Sequence, residues 1–339
     1  MDPNFASADL VAAFREELKL CKVREGENVL IFTDPRFIHP EYVPAAFAGA
    51  RTLGANSYVL TSQGDQAFDD KLVRAAWLNA DMILGMSMLP RGIGSWMYTE
   101  TSNDALKAGA RVLMVQEPFA GLKRMLPNDT LRRRGRNGAQ LLQEAKEIRV
   151  VSKAGSDYVM RKDGRKAMYQ CGIADEPGRW DHWPSGLVAC APIEDSAEGK
   201  YVVEPGDVLL GLWRHAQTRV EIYLEKGKIT KITGGSDAYL LQSYLDSVGD
   251  DGAYRFSHAG WGTDERADWG EVGMDSESKY GTVLVAIGRN SFDTPAPYSG
   301  FAGKNESKAH CDICCRNTSF YLDDRLIVEN EKFLVSDLA

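Results

Sequence analysis

The chain has 339 residues, 44% hydrophobic and 26% charged, with a net charge of −8. That composition is ordinary for a globular protein and excludes disordered, collagen-like and coiled-coil chains. The acidic balance (pI about 5.3) argues against a nucleic acid or an anionic membrane as partner, since both require a basic footprint.

The first half alternates helices and strands. Residues 8–22 carry apolar groups at Leu10, Val11, Phe14, Leu18 and Leu20-Cys21, the spacing of a helix, with Ser7 placed to cap it. Asn28–Thr33 is an apolar run stopped by Asp34-Pro35 and reads as a buried strand. Ser57–Thr61, Ala80–Met86 and Arg111–Val115 read as three more, with helical patterns over Asp70–Asn79 and Asn103–Gly109 between them. Strands separated by helices of this length favour a parallel sheet with crossover helices. Arg132-Arg133-Arg134-Gly135-Arg136 reads as a solvated helix face or loop.

The composition changes after about residue 147. Glu147–Lys162, Ala167–Gly172 and Lys200–Ile232 are rich in strand formers and are punctuated by Glu204-Pro205-Gly206-Asp207 and Glu225-Lys226-Gly227-Lys228. Gly281–Gly288 and Thr318–Leu322 add strands, and only Asp237–Val248 is strongly helical. The expected architecture is therefore an α/β domain with a parallel sheet over 1–160. A mostly antiparallel α+β domain follows over 161–339.

Phosphate-binding loops are absent: no Gly-x-Gly-x-x-Gly follows a strand, and Arg91-Gly92-Ile93-Gly94-Ser95 lacks the third glycine. A Gly-x-Ser-x-Gly elbow is also missing. No apolar run approaches the roughly 18 residues of a membrane span. Met1-Asp2-Pro3-Asn4-Phe5 has no basic and apolar leader regions. Six cysteines in such a chain read as free thiols in a reducing cytoplasm. Cys311-x-x-Cys314 has finger-like spacing, but nothing completes a tetrahedral zinc site, so buried thiols are the expectation.

Two of the five histidines stand out. His310-Cys311-Asp312 precedes an apolar stretch, and in an extended chain residues i and i+2 share a face. Tyr254–Gly262 presents His258 in what reads as a glycine-rich turn. Two imidazoles and one carboxylate form the facial triad of non-haem Fe(II) oxygenases, which leaves three coordination positions open. Alone, a His-x-Asp pair is more often a structural histidine beside a surface carboxylate.

Longer motifs sharpen this. Pro184-Ser185-Gly186-Leu187, followed by Ala191-Pro192, resembles a motif of the aminopeptidase T metallopeptidases in which a ligand glutamate stands where Leu187 is. His258-Ala259-Gly260-Trp261-Gly262-Thr263-Asp264 is similar to a second motif, with His258 replacing a ligand glutamate. Gly281–Gly288 is similar to a third, with Leu284 replacing a ligand histidine, while His310-x-Asp312 is kept. Two leucines cannot bind metal, so a two-metal hydrolytic centre is lost and ligands for one metal remain. Trp180-Asp181-His182-Trp183-Pro184-Ser185-Gly186, His258–Gly262 and His310–Asp312 together resemble the bacterial 2,5-dihydroxypyridine 5,6-dioxygenases of nicotinate and nicotine breakdown.

That resemblance implies an aminopeptidase T-like fold and an assembly of identical subunits. It also implies one Fe(II) held by His258, His310 and Asp312, and ring cleavage by O2 between C5 and C6 to give N-formylmaleamate. His182 is the candidate acid–base residue, since imidazole titrates near neutral pH. Tyr98, Ser291 and Ser299 lie in polar or glycine-rich loops suited to contacting ring substituents. Trp96, Trp183 and Trp261 are candidate walls for a flat ring. The rival expectation is an aminopeptidase T-like metallohydrolase, against which Leu187 and Leu284 speak.

Overall fold

The computed structural model describes residues 3–64, 67–89 and 95–339, with side chains from residue 7. The Arg91–Gly94 glycine motif lies outside the described residues. Packing divides the chain into two units: 1–128 with 170–184 and 294–299, and 129–169 with 185–293 and 300–339.

The first unit begins with α1 (Pro3–Leu20), four residues ahead of the expected cap at Ser7. Strands β1 (Asn28–Thr33), β2 (Asn56–Thr61), β3 (Met82–Met86) and β4 (Arg111–Val115) alternate with α2 (Tyr42–Thr52), α3 (Lys71–Leu78) and α4 (Glu100–Lys107). Asp70 starts α3 because its carboxylate accepts from Leu72 N at 2.7 Å, an N-cap bond. Thr99 does the same for α4, accepting from Ser102 N at 3.2 Å, so that helix starts ahead of the expected Asn103. After α5 (Phe119–Arg124) the chain forms α6 (Asp129–Glu144), β5 (Glu147–Ser152), β6 (Asp157–Arg161) and β7 (Ala167–Gln170). It then returns as β8 (Trp180–Trp183), which pairs parallel with β4 and completes a five-stranded parallel sheet, β2-β1-β3-β4-β8. One boundary near residue 160 is therefore replaced by interleaved segments: the return of β8 draws 170–184 into the first unit.

In the second unit the arginine-rich run forms part of α6, and one of its faces is buried. Arg134 is buried, pairs with Glu265 Oε1 at 2.8 Å and lies 4.6 Å above the Tyr280 ring. The remaining elements are β9 (Leu187–Cys190), β10 (Glu198–Val203), β11 (Val208–Leu209), β12 (Arg214–His215), β13 (Val220–Glu225), β14 (Lys228–Gly234) and α7 (Ser236–Val248). They continue with β15 (Phe256–Gly262), α8 (Met274–Ser278), β16 (Val283–Gly288), β17 (His310–Cys315), β18 (Thr318–Leu322), β19 (Arg325–Glu329) and β20 (Lys332–Phe333). They build an eight-stranded sheet, β14-β13-β10-β6-β5-β18-β19-β20, and a seven-stranded one, β12-β11-β17-β16-β15-β9-β7. The registered pairs of both sheets are antiparallel, as the turn-punctuated sequence implies.

The expected turn around His258 is a strand. Its glycines serve close approach and not reversal: a Cβ on Gly260 would sit 1.8 Å from the Val188 carbonyl oxygen. Among the described residues no helix is long and apolar enough to cross a membrane.

Candidate metal centre

The register of β15, β16 and β17 assembles the site. Ala286 on the middle strand pairs with His258 on one side and Asp312 on the other. Residues directly opposite in an antiparallel ladder share a face, so imidazole and carboxylate rise on either side of one methyl group. His310 lies two residues before Asp312 on β17, opposite Gly288, and projects from the same face. His258 Nε2 lies 3.2 Å from Asp312 Oδ1, and His310 Nε2 lies 3.1 Å from Asp312 Oδ2. One donor atom from each of the three residues falls within 4.8 Å of the others. Leu284 is two residues from Ala286 on β16, and Leu187 reaches the same face through the pairing of β9 with Gly262. The two leucines thus line the face that carries the trio, and both are buried.

His258 and Asp312 are buried, whereas His310 keeps 26% of its side chain exposed, so the centre opens on the His310 side. Burial opposes charge on Asp312, but His310 and His258 beside it hold its carboxyl well below the usual carboxylate range. Burial pushes the His258 imidazole down. For His310 burial acts in the same sense, yet the adjacent Asp312 charge outweighs it and raises its proton affinity. The cluster is thus one permanent anion shared between two imidazoles, a donor set that suits a divalent transition metal.

Each ring is oriented differently. His310 Nδ1 lies 2.8 Å from the Arg289 carbonyl oxygen, which can only accept, so Nδ1 carries the proton and Nε2 offers its lone pair to the site. His258 Nδ1 has no hydrogen-bond partner among the described residues. Its ring is held by stacking on Phe301, with centroids 4.7 Å apart at 17°. Phe301 was not a sequence candidate; its only signal is its place between Gly300 and Gly303.

The other expected residues separate. Ser291 belongs to the second unit with the trio, and its buried Oγ has no partner among the described residues. His182, Tyr98 and Ser299 belong to the first unit. His182 is on β8, anchored through its N–H to Asp181 Oδ1 at 2.9 Å, and burial lowers its pKa to about 3. It is therefore a neutral imidazole at pH 7. Ser299 Oγ accepts from Trp180 N at 3.2 Å and donates to Trp180 O at 3.1 Å, so both of its roles are already taken by backbone. Tyr98 is half-buried at the end of a short 3-10 helix.

The three tryptophans expected as walls are core residues. Trp96 packs on Trp77 at 5.6 Å, Trp183 on Phe14 at 5.3 Å, and Trp261 on Phe320 at 5.0 Å, each wholly buried. The cysteines of β17 are buried as expected, and Cys311 Sγ accepts from Gly211 N at 3.2 Å.

The fold is of the aminopeptidase T type: it superposes on wild-type AmpT from Thermus thermophilus with a TM-score of 0.62 at 14% identity, over 95% of this chain and 99% of that one. On this scaffold sits a cluster of two histidines and one aspartate. The chain belongs to the 2,5-dihydroxypyridine 5,6-dioxygenase family, whose sequence profile matches residues 9–335. It is 34% identical over 349 residues to the 2,5-dihydroxypyridine 5,6-dioxygenase of Pseudomonas putida KT2440, covering 95% of each protein. The solved structure of 2,5-dihydroxypyridine dioxygenase from that organism superposes with a TM-score of 0.88 at 32% identity, over 98% of this chain and 99% of that one.

Proposed function

We propose that this chain is an Fe(II)-dependent ring-cleaving dioxygenase that acts on 2,5-dihydroxypyridine, adding both atoms of O2 across C5–C6 to give N-formylmaleamate. The observation that carries this reading is the convergence of three donor atoms within 4.8 Å, on a sheet face whose other candidate ligand positions are leucine. His258 and His310 would hold the ion through Nε2, and Asp312 through a carboxylate oxygen. Bound Fe(II) would supply open coordination positions where the ring hydroxyl and O2 meet, and a path for electrons between them. Two neutral donors and a single anion would leave a bound divalent ion with net positive charge, which would attract an anionic substrate group to this face.

The protein's remaining tasks are proton handling and orientation. His182, with its pKa lowered by burial to about 3, is too weak a base to hold the hydroxyl proton at pH 7, and the acid–base role expected of it is not part of this reading. Ser291, in the same unit as the trio and with its hydroxyl unpartnered among the described residues, is assigned to hold a ring substituent. The unpaired, buried cysteines favour a reducing, cytoplasmic setting. Exposed Tyr58 and Val59 on the outer strand of the parallel sheet favour assembly of identical subunits.

The deciding experiment is anaerobic purification, Fe(II) loading and addition of 2,5-dihydroxypyridine with O2 uptake followed. One O2 consumed per ring opened is the expected stoichiometry. Absence of uptake, with zinc-dependent peptide cleavage instead, would overturn the reading in favour of the hydrolase.

A pH dependence follows from the same site. Metal and protons compete for the His310 lone pair. Because Asp312 raises its proton affinity, iron binding should begin to weaken above the ordinary imidazole value of about 6.5. Below that midpoint affinity should fall by about tenfold per pH unit, the slope for one displaced proton. Anaerobic Fe(II) titrations between roughly pH 5.5 and 8 measure this directly, and a flat profile would remove His310 from the ligand set.

A further inference from the structure

Strand β15 carries one residue too many. Phe256 pairs with Ile287 and His258 with Ala286, so Ser257 faces no partner on β16 and is the bulge residue of the pair. A bulge bends its strand and re-aims side chains, and this one sits directly before a proposed ligand. Ser257 is fully buried, and its hydroxyl donates to the Arg289 carbonyl oxygen at 2.7 Å. That is the same oxygen to which His310 Nδ1 donates at 2.8 Å. A carbonyl has two lone pairs, and both are used here. The Ser257 carbonyl is fixed in turn: Asn290 Nδ2 donates to it at 3.0 Å, while Asn290 Oδ1 accepts from Asn305 N at 2.9 Å. The residue preceding one imidazole thus holds the acceptor that orients the other.

We propose that Ser257 is a positioning residue of the metal centre, its hydroxyl fixing the Arg289 carbonyl that sets the tautomer and direction of His310. This rests on the proposed Fe(II) site and deepens it. Hydrogen-bond partners of ligand histidines typically govern metal affinity by about 10- to 100-fold. Without the hydroxyl, the Arg289 carbonyl keeps only the His310 Nδ1–H as donor, so carbonyl and ring can shift together and the ring's direction is less tightly set.

The test compares wild type, Ser257→Ala, and the equal-shaped pair Ser257→Thr and Ser257→Val. The readouts are Fe(II) affinity by anaerobic titration, the Co(II) d–d spectrum, and the melting temperature of the metal-free proteins. Ser257→Ala, which removes a partner of that partner, is expected to bind Fe(II) more weakly than wild type by up to about tenfold, with shifted Co(II) bands. Should it not fold, the pair decides: threonine keeps a strong donor, valine has the same volume without one, and the threonine form should bind more tightly by a similar factor. Variants that melt lower yet bind Fe(II) within twofold of wild type, or threonine and valine forms of equal affinity, would overturn the inference and leave the site intact. Failure of the wild-type protein to bind Fe(II) would instead overturn the site itself.

Discussion

Asp312→Asn is expected to abolish Fe(II) retention and ring cleavage while leaving the fold in place. Asp312 is the one anion of the trio, and the asparagine amide keeps its shape but removes the charge. Both imidazoles lie against it, at 3.2 Å and 3.1 Å, so no other group in the cluster can neutralise the ion. The loss of affinity should exceed the roughly 10- to 100-fold typical of changes around a ligand, because a ligand itself is removed. Breaking a buried ion pair often costs about 3–5 kcal/mol by stranding a charge. That cost is avoided here. It is Asp312 that raises the His310 proton affinity, so once the carboxylate is gone burial drives His310 neutral at pH 7 and no charge is left alone. Thermal unfolding reads out both statements. At about a hundredfold excess over Kd, Fe(II) should add about 2.7 kcal/mol to the wild-type protein and raise its melting temperature, while the variant should melt at one temperature with or without the ion. Iron retained by Asp312→Asn at wild-type affinity, with turnover, would show that the metal is held elsewhere.

The parts of this molecule legible in its sequence are those encoded locally. β1, β3 and β4 are uninterrupted apolar runs, and a buried parallel strand needs nothing more to be read. His310 and Asp312 share a face because the strand period is two, which the spacing alone states. β8 was not legible: Asp181 and His182 interrupt its apolar character, and its pairing with β4 is a long-range fact that no local pattern carries. α6 was obscured because Arg134, Gly135 and Gly138 lie on its buried face, where residue type alone suggests solvent or a turn. The tryptophans failed as pocket walls for a related reason: a large aromatic group marks a core and a ring-binding wall equally well in one dimension. His258 is the intermediate case. Its motif reached it through a family resemblance, but what places it opposite Ala286 is a bulge at Ser257, and a one-residue irregularity of register leaves no periodic trace. The Arg289 carbonyl is invisible in sequence for a simpler reason, since every residue has one.

Ala286→Leu should destroy the centre from beneath. β15 and β17 flank β16, so with neighbouring strands about 4.8 Å apart the backbones bearing His258 and Asp312 are separated by roughly 9.6 Å. Their side chains close that distance to 3.2 Å by leaning over Ala286, whose methyl is the floor of the site. A leucine there would place three more carbons in the volume the imidazole and carboxylate now occupy. Overpacking of a buried site costs about 1–3 kcal/mol, and the side chains above are the part able to move. The expected result is a folded protein with a lowered melting temperature and no measurable Fe(II) binding. Val285→Leu supplies the control, because Val285 is equally buried on the opposite face of the same strand, between Ala259 and Ile313. It should lose comparable stability and keep iron. Ala286→Gly marks the other limit: it clears space, weakens the strand by about 0.5–1 kcal/mol, and should leave the three ligands in reach of one ion. Equal Fe(II) affinity in the leucine variants at 285 and 286 would mean that the face above Ala286 does not hold the metal, whatever the distances among its side chains.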